Sequence, residues 1–352
     1  MSKDEKILVL NIATDAKDTS LGFAISWLNV FSDNYSEVDV ITLKKGDTSN
    51  LNNNVNIYNI GNTNKSKITK AIKLFKLINK VTKESNYKYC LSHMSPGMIA
   101  ISSIIFRIRQ IDLLLWYTHK GPTNFFGKVI LFFGYLSANK IITASDNSFP
   151  YKSKKVNVIG HAIDYKTFYK KIESFSENDF AIVSRISKSK NIEESIKGFL
   201  KSKASESHSL VVIGGALTIE DKDYYEYLLN KYRDNKNISF IGPVPHSELV
   251  NYLKNVRFHI NNTDKGFYDK SVLETSVNGI INFYKNIDYD KNVPIEYQEV
   301  LKFNGSSSDL SNKISSVFTL NQNEFLKIIE HSQKEINNES LDTLVKRIES
   351  VI

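Results

Sequence analysis

DFAIVSRISKSKNIEESIKGFLKSKASESHSLVVIGG, residues 179–215, decides the fold. DFAIVSRI (179–186) is a short apolar run of strand character, IEESIKGFLKSK (192–203) has helical spacing, and SLVVIGG (209–215) is a second strand-like run ending on two glycines. A strand, a helix and a strand so close together make a unit of parallel strands joined by a crossover helix. Toward the carboxyl end the alternation continues through a helix at 221–234, a strand at 238–244, a helix at 246–255, a strand at 256–263, a helix starting over 270–278, a strand around 280–286 and helices within 295–352. Toward the amino end, strands are expected at 6–12, 38–43, 55–60, 87–93, 112–119 and 140–145, with helices over 21–31, 65–84, 96–109 and 123–137 between them. Two such halves meet near GHAIDYKTFYKKI (160–172), and a length of 352 residues suits two domains of roughly 150 each. The expected fold class is α/β: two Rossmann-like, doubly wound parallel-sheet domains facing each other across a cleft, with functional residues just after the strands.

Composition narrows the function classes. Hydrophobic residues at 41% and charged residues at 24% describe a globular chain, neither disordered nor polytopic. The single cysteine, Cys90, leaves no disulfide framework and no multi-cysteine metal site. The start, MSKDEKILVLNI, has acids ahead of a short strand-like run instead of a signal peptide, so the expected compartment is the cytoplasm. The net charge of +8 is uneven: residues 1–165 hold 21 Lys and Arg against 12 Asp and Glu, whereas residues 166–352 hold 25 against 26. A compositional bias toward lysine and a selected basic surface both account for that excess.

Two constellations carry chemistry. In VSRISKSKN (183–191), Arg185 and Lys190 flank a polar loop at a helix start, where two cations and free amides suit a diphosphate; a solvated basic turn is the plain alternative. In DKGFYDKSVLETSVNG (264–279), a glycine-containing loop leads into a helix bearing Lys270, Ser271 and Glu274. Lys270 and Glu274 lie one turn apart, as in an ordinary ion pair, but amides near Lys270 and Ser271 can also hold phosphate oxygens while Glu274 accepts from vicinal hydroxyls. Together the groups describe a nucleoside diphosphate. After the first strand, Asp15 and Asp18 are candidate bases or acceptor contacts, with acidic surface as the alternative. His161 is expected to be structural, near Asp164, and His246, after Pro245, to cap a helix or line a base pocket. No metal-ligand spacing such as HExxH occurs, so neither a metal nor a cofactor is expected.

These motifs in this order resemble the retaining glycosyltransferases of family 4, which have the GT-B fold. LVVIGG, ISFIGPVPHSELVNYLKNVRFHIN and the Glu274 segment resemble that family's carboxyl-terminal domain, and TSLGFAISW (19–27), LLLWYTHK (113–120), IITAS (141–145) and VIGHAIDYKTF (158–168) resemble its first half. The resemblance implies that Arg185 and Lys190 neutralise the donor diphosphate and that Glu274 is the second Glu of a Glu-x7-Glu motif, binding ribose. It further implies that Gly22 lets the diphosphate and acceptor approach and that His119 stands near the transferred sugar. Gly266 occupies the place of the first Glu, a departure for which either Asp269 or Lys270 takes over the role or the sugar is gripped differently. The implied protein is a hexosyltransferase-like, metal-independent enzyme that moves a sugar from a nucleotide-diphosphate sugar to a saccharide or lipid-linked hydroxyl, in cell-surface polysaccharide or glycolipid synthesis. Its expected parts are an acceptor-side domain (1–162), a donor domain (163–335) and a terminal helix (336–352) returning to the first domain.

Competing readings are weaker. The loop NIATDAKDTSLG lacks GxGxxG, which argues against a dinucleotide oxidoreductase, and DKD (221–223) and DYD (288–290) are badly placed for a metal-binding Asp-x-Asp pair. A sugar-nucleotide epimerase on the same fold is the alternative. Nucleic acid is not an expected partner, since RNP-like, zinc-finger and helix-turn-helix signatures are missing. From Lys65 to Lys83 there are seven lysines and no acid, with Ile68, Ala71, Ile72, Phe75, Ile78 and Val81 near one face that is expected to pack on the sheet. Those lysines suit anionic lipid headgroups, and NFFGKVILFFGYL (124–136) either adds an apolar contact or is core. The expected location is therefore cytoplasmic, with peripheral attachment at the inner face of the cell membrane.

Overall fold

The computed structural model describes residues 5–18, 21–61, 66–83, 85–174 and 179–352. The chain start, Thr19, Ser20 and Lys65 lie outside the described residues. Two compact units divide the chain: Met1–Ala162 with Leu341–Ile352, and Ile163–Ser340.

The first unit is built on β1 (Lys6–Thr14), β2 (Glu37–Lys45), β3 (Val55–Asn59), β4 (Tyr87–His93), β5 (Asp112–Trp116), β6 (Lys140–Thr143) and β7 (Val156–Val158). They pair in parallel in the order β3-β2-β1-β4-β5-β6-β7. β1 is central and covered on both faces, which is why it reads as an almost unbroken apolar run. The chain lays β2 and β3 on one side of β1 and then returns to lay β4 on the other, so the order reverses between β1 and β4.

Helices α1 (Ala24–Asn34), α2 (Lys67–Lys83), α3 (Pro96–Ile108) and α4 (Phe125–Ser137) cover the sheet. On one face, Leu74 and Ile78 of α2, Ile99 and Phe106 of α3 and Leu131 of α4 pack on Leu8, Leu10, Cys90 and Leu113. α3 and α4 approach closely at Gly134, where a Cβ would lie 2.5 Å from that of Pro96. On the other face, Trp27 and Phe31 of α1 pack on Ile7, Val9 and Trp116.

The second unit holds β8 (Asp179–Val183), β9 (Leu210–Ile213), β10 (Ile238–Gly242), β11 (Val256–Asn261) and β12 (Ile281–Tyr284), all parallel in the order β10-β9-β8-β11-β12. Its helices are α5 (Tyr165–Phe168), α6 (Ile192–Lys201), α7 (Ile219–Tyr232), α8 (Leu249–Tyr252), α9 (Lys270–Val277), α10 (Ile295–Leu301), α11 (Ser307–Val317) and α12 (Gln322–Asn337). The strand order reverses between β8 and β11, the place where such sheets bind ligands. A last helix, α13 (Leu344–Glu349), belongs to the first unit, with Leu344, Val345 and Ile348 buried against the same core as α1.

The α/β architecture with two parallel sheets agrees with the sequence reading, and three details depart from it. β7 was not expected, because three residues are too few to show a period. The expected helix at 246–255 is a tight turn over His246–Glu248 followed by the four residues of α8. The expected apolar face of α2 is split: Ile78 and Val81 are buried, whereas Ile68, Ile72 and Phe75 are exposed.

Beneath the switch point of the second unit lies His259 of β11, fully buried. The Val183 amide donates to its Nε2 at 3.1 Å, so Nε2 carries no proton and Nδ1–H must donate to Asn282 Oδ1 at 2.6 Å. Asn282 in turn donates to Ser276 Oγ at 2.9 Å and lies 2.9 Å from Thr275 Oγ1. One imidazole thus ties the end of β8 to β12 and, through Asn282, to α9. Burial pulls its pKa down from 6.5 to about 4, against the hydrogen bond to Asn282. Between those values the unfolded chain binds more protons, so this contribution is complete above pH 6.5 and is lost as the pH falls toward 4.

Urea titrations are expected to show a loss of stability on the order of 3 kcal/mol from this group over that range. His259→Gln should be less stable at neutral pH yet titrate with a shallower slope; an unchanged slope would count against the assignment. Gly214, at φ 144° after β9, supports the same corner: a Cβ there would stand 1.8 Å from the Ser184 carbonyl oxygen. Gly214→Ala should cost about 3 kcal/mol of the second unit's stability, read as a lowered melting temperature.

Candidate active site

In the second unit, the loop after β8 presents Arg185 and then a tight turn over Lys188–Lys190. Arg185 is exposed, and no ion pair to its guanidinium occurs among the described residues. Lys190 is mostly buried, and its ammonium sits 2.7 and 2.6 Å from the two carboxylate oxygens of Asp269. It also lies 5.4 Å from the centre of the Phe267 ring. Asp269 is further held by the Asn261 side-chain amide at 3.2 Å, and its own amide lies 2.6 Å from the Tyr289 hydroxyl.

Asp269 is also the residue from which α9 starts, and its own side chain makes no capping hydrogen bond to that helix. The first-turn amides around Lys270 and Ser271 therefore have no capping acceptor from the N-cap side chain, which leaves them suited to an anion. Burial draws the Lys270 ammonium down to about 7, opposed by the nearby Glu274 carboxylate. One turn on, Glu274 is 4% exposed, and its Oε1 lies 2.8 Å from His246 Nε2. Burial lowers the His246 pKa, but the charge and hydrogen bond of Glu274 outweigh it and leave the imidazole raised above its usual value.

His246 is thus not a cap, as one sequence reading had it. Its turn begins at Pro245 with no capping side chain, and the imidazole reaches across to the carboxylate on α9 while its ring lies 5.5 Å from that of Phe168. Only the PVPH sequence after β10 hinted at this; the partner lies 28 residues away. Asp164, by contrast, caps α5, its carboxylate accepting from the Thr167 amide at 3.2 Å.

Gly266 is fixed by its backbone. This residue sits at φ 89°, in the left-handed region where a glutamate would be strained, and its amide donates to Asp288 at 3.1 Å. Asp288 and Asp290 of the DYD segment are therefore committed within the fold, Asp290 through an ion pair with Lys302 at 2.7 Å. Asp221 of the DKD segment belongs to the capping box of α7.

In the first unit, Asp15 and Asp18 follow β1, and both organise the loop. Asp15 Oδ1 accepts from the amides of Lys17 and Asp47, each at 3.0 Å. Asp18 accepts from the Leu21 amide at 2.9 Å and from Lys44 at 3.0 Å. Gly22 is required by the same loop, since a Cβ would lie 2.6 Å from the Asp18 carbonyl oxygen. His119 is exposed just after β5, with its ring edge-on to Tyr117 at 6.2 Å.

Comparison with known proteins connects this geometry to a family. Residues 165–260, which run from α5 to the penultimate residue of β11, match the family Glycosyl transferases group 1. No curated protein sequence matches the chain. Among solved structures, HepE of Anabaena in complex with UDP-glucose aligns over 99% of this chain and 100% of its own, with a TM-score of 0.75 at 13% identity. Sucrose-phosphate synthase of Thermosynechococcus elongatus aligns over 98% and 97%, with a TM-score of 0.71 at 12% identity. UDP-GlcNAc 2-epimerase of Methanocaldococcus jannaschii aligns over 98% and 99%, with a TM-score of 0.58 at 12% identity. At such identities the likeness is one of fold, the two-unit Rossmann-like fold of the GT-B class, and residues 165–260 are similar to the group 1 glycosyltransferases.

Proposed function

We propose that the protein is a retaining, metal-independent glycosyltransferase that uses a nucleotide-diphosphate sugar. The observation that carries this reading is the placement, around the β8–β11 switch point, of Arg185, Lys190 and the start of α9 with the buried Glu274. Cations and helix amides of this kind stabilise the charge that builds on a departing diphosphate, each charged hydrogen bond contributing about 1.5–3 kcal/mol. Lys190 and Asp269 form one unit: the carboxylate fixes the ammonium, whose three donors can serve a phosphate oxygen as well. Glu274, oriented by His246, accepts from the ribose hydroxyls. Transfer then proceeds on the front face, the departing phosphate taking the acceptor proton, with His119 beside the sugar. Residues 163–335 act as the donor domain and 1–162 as the acceptor side. HepE binds UDP-glucose, so UDP-hexoses are the first donors to test.

The product is assigned to cell-surface polysaccharide or glycolipid. An epimerase reading is kept because the chain also shares its fold with a UDP-GlcNAc 2-epimerase. Incubation with UDP-N-acetylglucosamine and no acceptor separates the two, since a new epimer would favour that alternative.

In a thermal-shift screen of nucleoside diphosphates, at least one should raise the melting temperature, and Arg185→Ala and Glu274→Ala should abolish the rise. A screen with no shift for any nucleotide would refute the reading. Lys270 adds a second test. It titrates at about 7, and a diphosphate beside it favours the ammonium, so binding above that pH takes up a proton. Calorimetric heats should therefore vary with the ionisation enthalpy of the buffer, and in Lys270→Met that variation should vanish.

A further inference from the structure

We propose that the outer side of the α2, α3 and α4 layer docks on an anionic lipid bilayer. These helices lie side by side on one face of the first unit's sheet, with their inner residues in one core. Their outer residues are unusually apolar: of 24 large hydrophobic side chains exposed among the described residues, 12 are on these three helices. Ile72, Ile104, Ile108, Phe125, Phe126 and Phe133 are among them, with Phe125 and Phe126 74% and 78% exposed. A patch of this kind marks an interaction surface.

Charge selects the occupant. The three helices carry eight Lys and Arg residues and no Asp or Glu. Lys73, Lys76, Lys80 and Lys83 of α2 are all exposed beside the apolar residues. A second copy of the chain would set like charges against like, whereas an anionic bilayer accepts both the cations, at its headgroups, and the rings, at the acyl boundary. Among the described residues no helix is long and apolar enough to cross a membrane, so the helices lie on the surface. Gly134 keeps α4 tight against Pro96 of α3, which makes the face a rigid platform.

Phe125 and Phe126 also follow directly on the loop that carries His119. On the transferase reading, docking would hold that loop where a lipid-linked acceptor presents its hydroxyl. The docking itself does not depend on that reading and has a separate test.

The full chain is sedimented with vesicles of phosphatidylcholine alone and of equal parts phosphatidylcholine and phosphatidylglycerol. Binding is expected to the mixed vesicles at low salt and to weaken at least about tenfold on pure phosphatidylcholine or at high salt. The triple variant Ile104→Ser, Phe125→Ser, Phe126→Ser and the triple variant Lys73→Glu, Lys76→Glu, Lys80→Glu should each lose at least about tenfold in binding. Circular dichroism melts within a few degrees of the parent would show that both still fold. Absence of binding to mixed vesicles at low salt would overturn the proposal, as would retention of binding by either folded variant. So would light scattering that shows a dimer split by the serine substitutions.

Discussion

The second unit depends on one imidazole that has no room to be charged. His259 accepts from the backbone at the end of β8 and donates to Asn282 on β12, and Asn282 reaches the inner side of α9. The loop that carries Arg185 and Lys190 leaves from β8, and Lys270 and Glu274 stand on α9, the strand and helix so joined. A charged or rotated ring would break the bond to Val183, two residues before Arg185, and disturb the seat of α9. Placement of the outer polar groups is thus fixed from within by a neutral, fully buried hydrogen-bonded group, whose energetic value comes from being completely satisfied.

Above this anchor, opposite charges are arranged in pairs. Lys190 has Asp269, and Glu274 has His246 on one side and Lys270 one turn away on the other. Buried charges of one sign would repel each other and pull in water, whereas paired carboxylates keep the cations in place at moderate cost. Gly266 is bound to a left-handed turn, and the carboxylate that meets Lys190 comes from the residue that starts α9.

Much of the fold was legible because a parallel sheet writes its strands as apolar runs separated by amphipathic helices. β7 was not, since Val156–Val158 is short and lies at the sheet's edge, where only one neighbour supports it. Residue types suited to an anion could be picked out wherever they followed a strand. Their partners could not: His246 and Glu274 are far apart in sequence, and no local spacing joins them. The same holds for Asp15 and Asp18, whose bonds to Asp47, Lys44 and Leu21 no local spacing announces. Local pattern reveals which face of a chain is buried only when a single stripe is apolar. α2 has apolar residues on more than one side, and so the exposed members Ile68, Ile72 and Phe75 read as core.

That misreading has a physical lesson for the net charge. A helix that buries Leu74 and Ile78 has already satisfied its sheet, so further apolar residues on its outer side add nothing to the fold and favour aggregation. Lysines at Lys73, Lys76, Lys80 and Lys83 oppose aggregation by like-charge repulsion while leaving the apolar residues uncovered. The basic excess of the first half is concentrated on α2, which holds six lysines, while α3 supplies exposed isoleucines and α4 exposed rings. A surface both sticky and positively charged is kept apart from its own copies and remains open to a partner that is both apolar and negative.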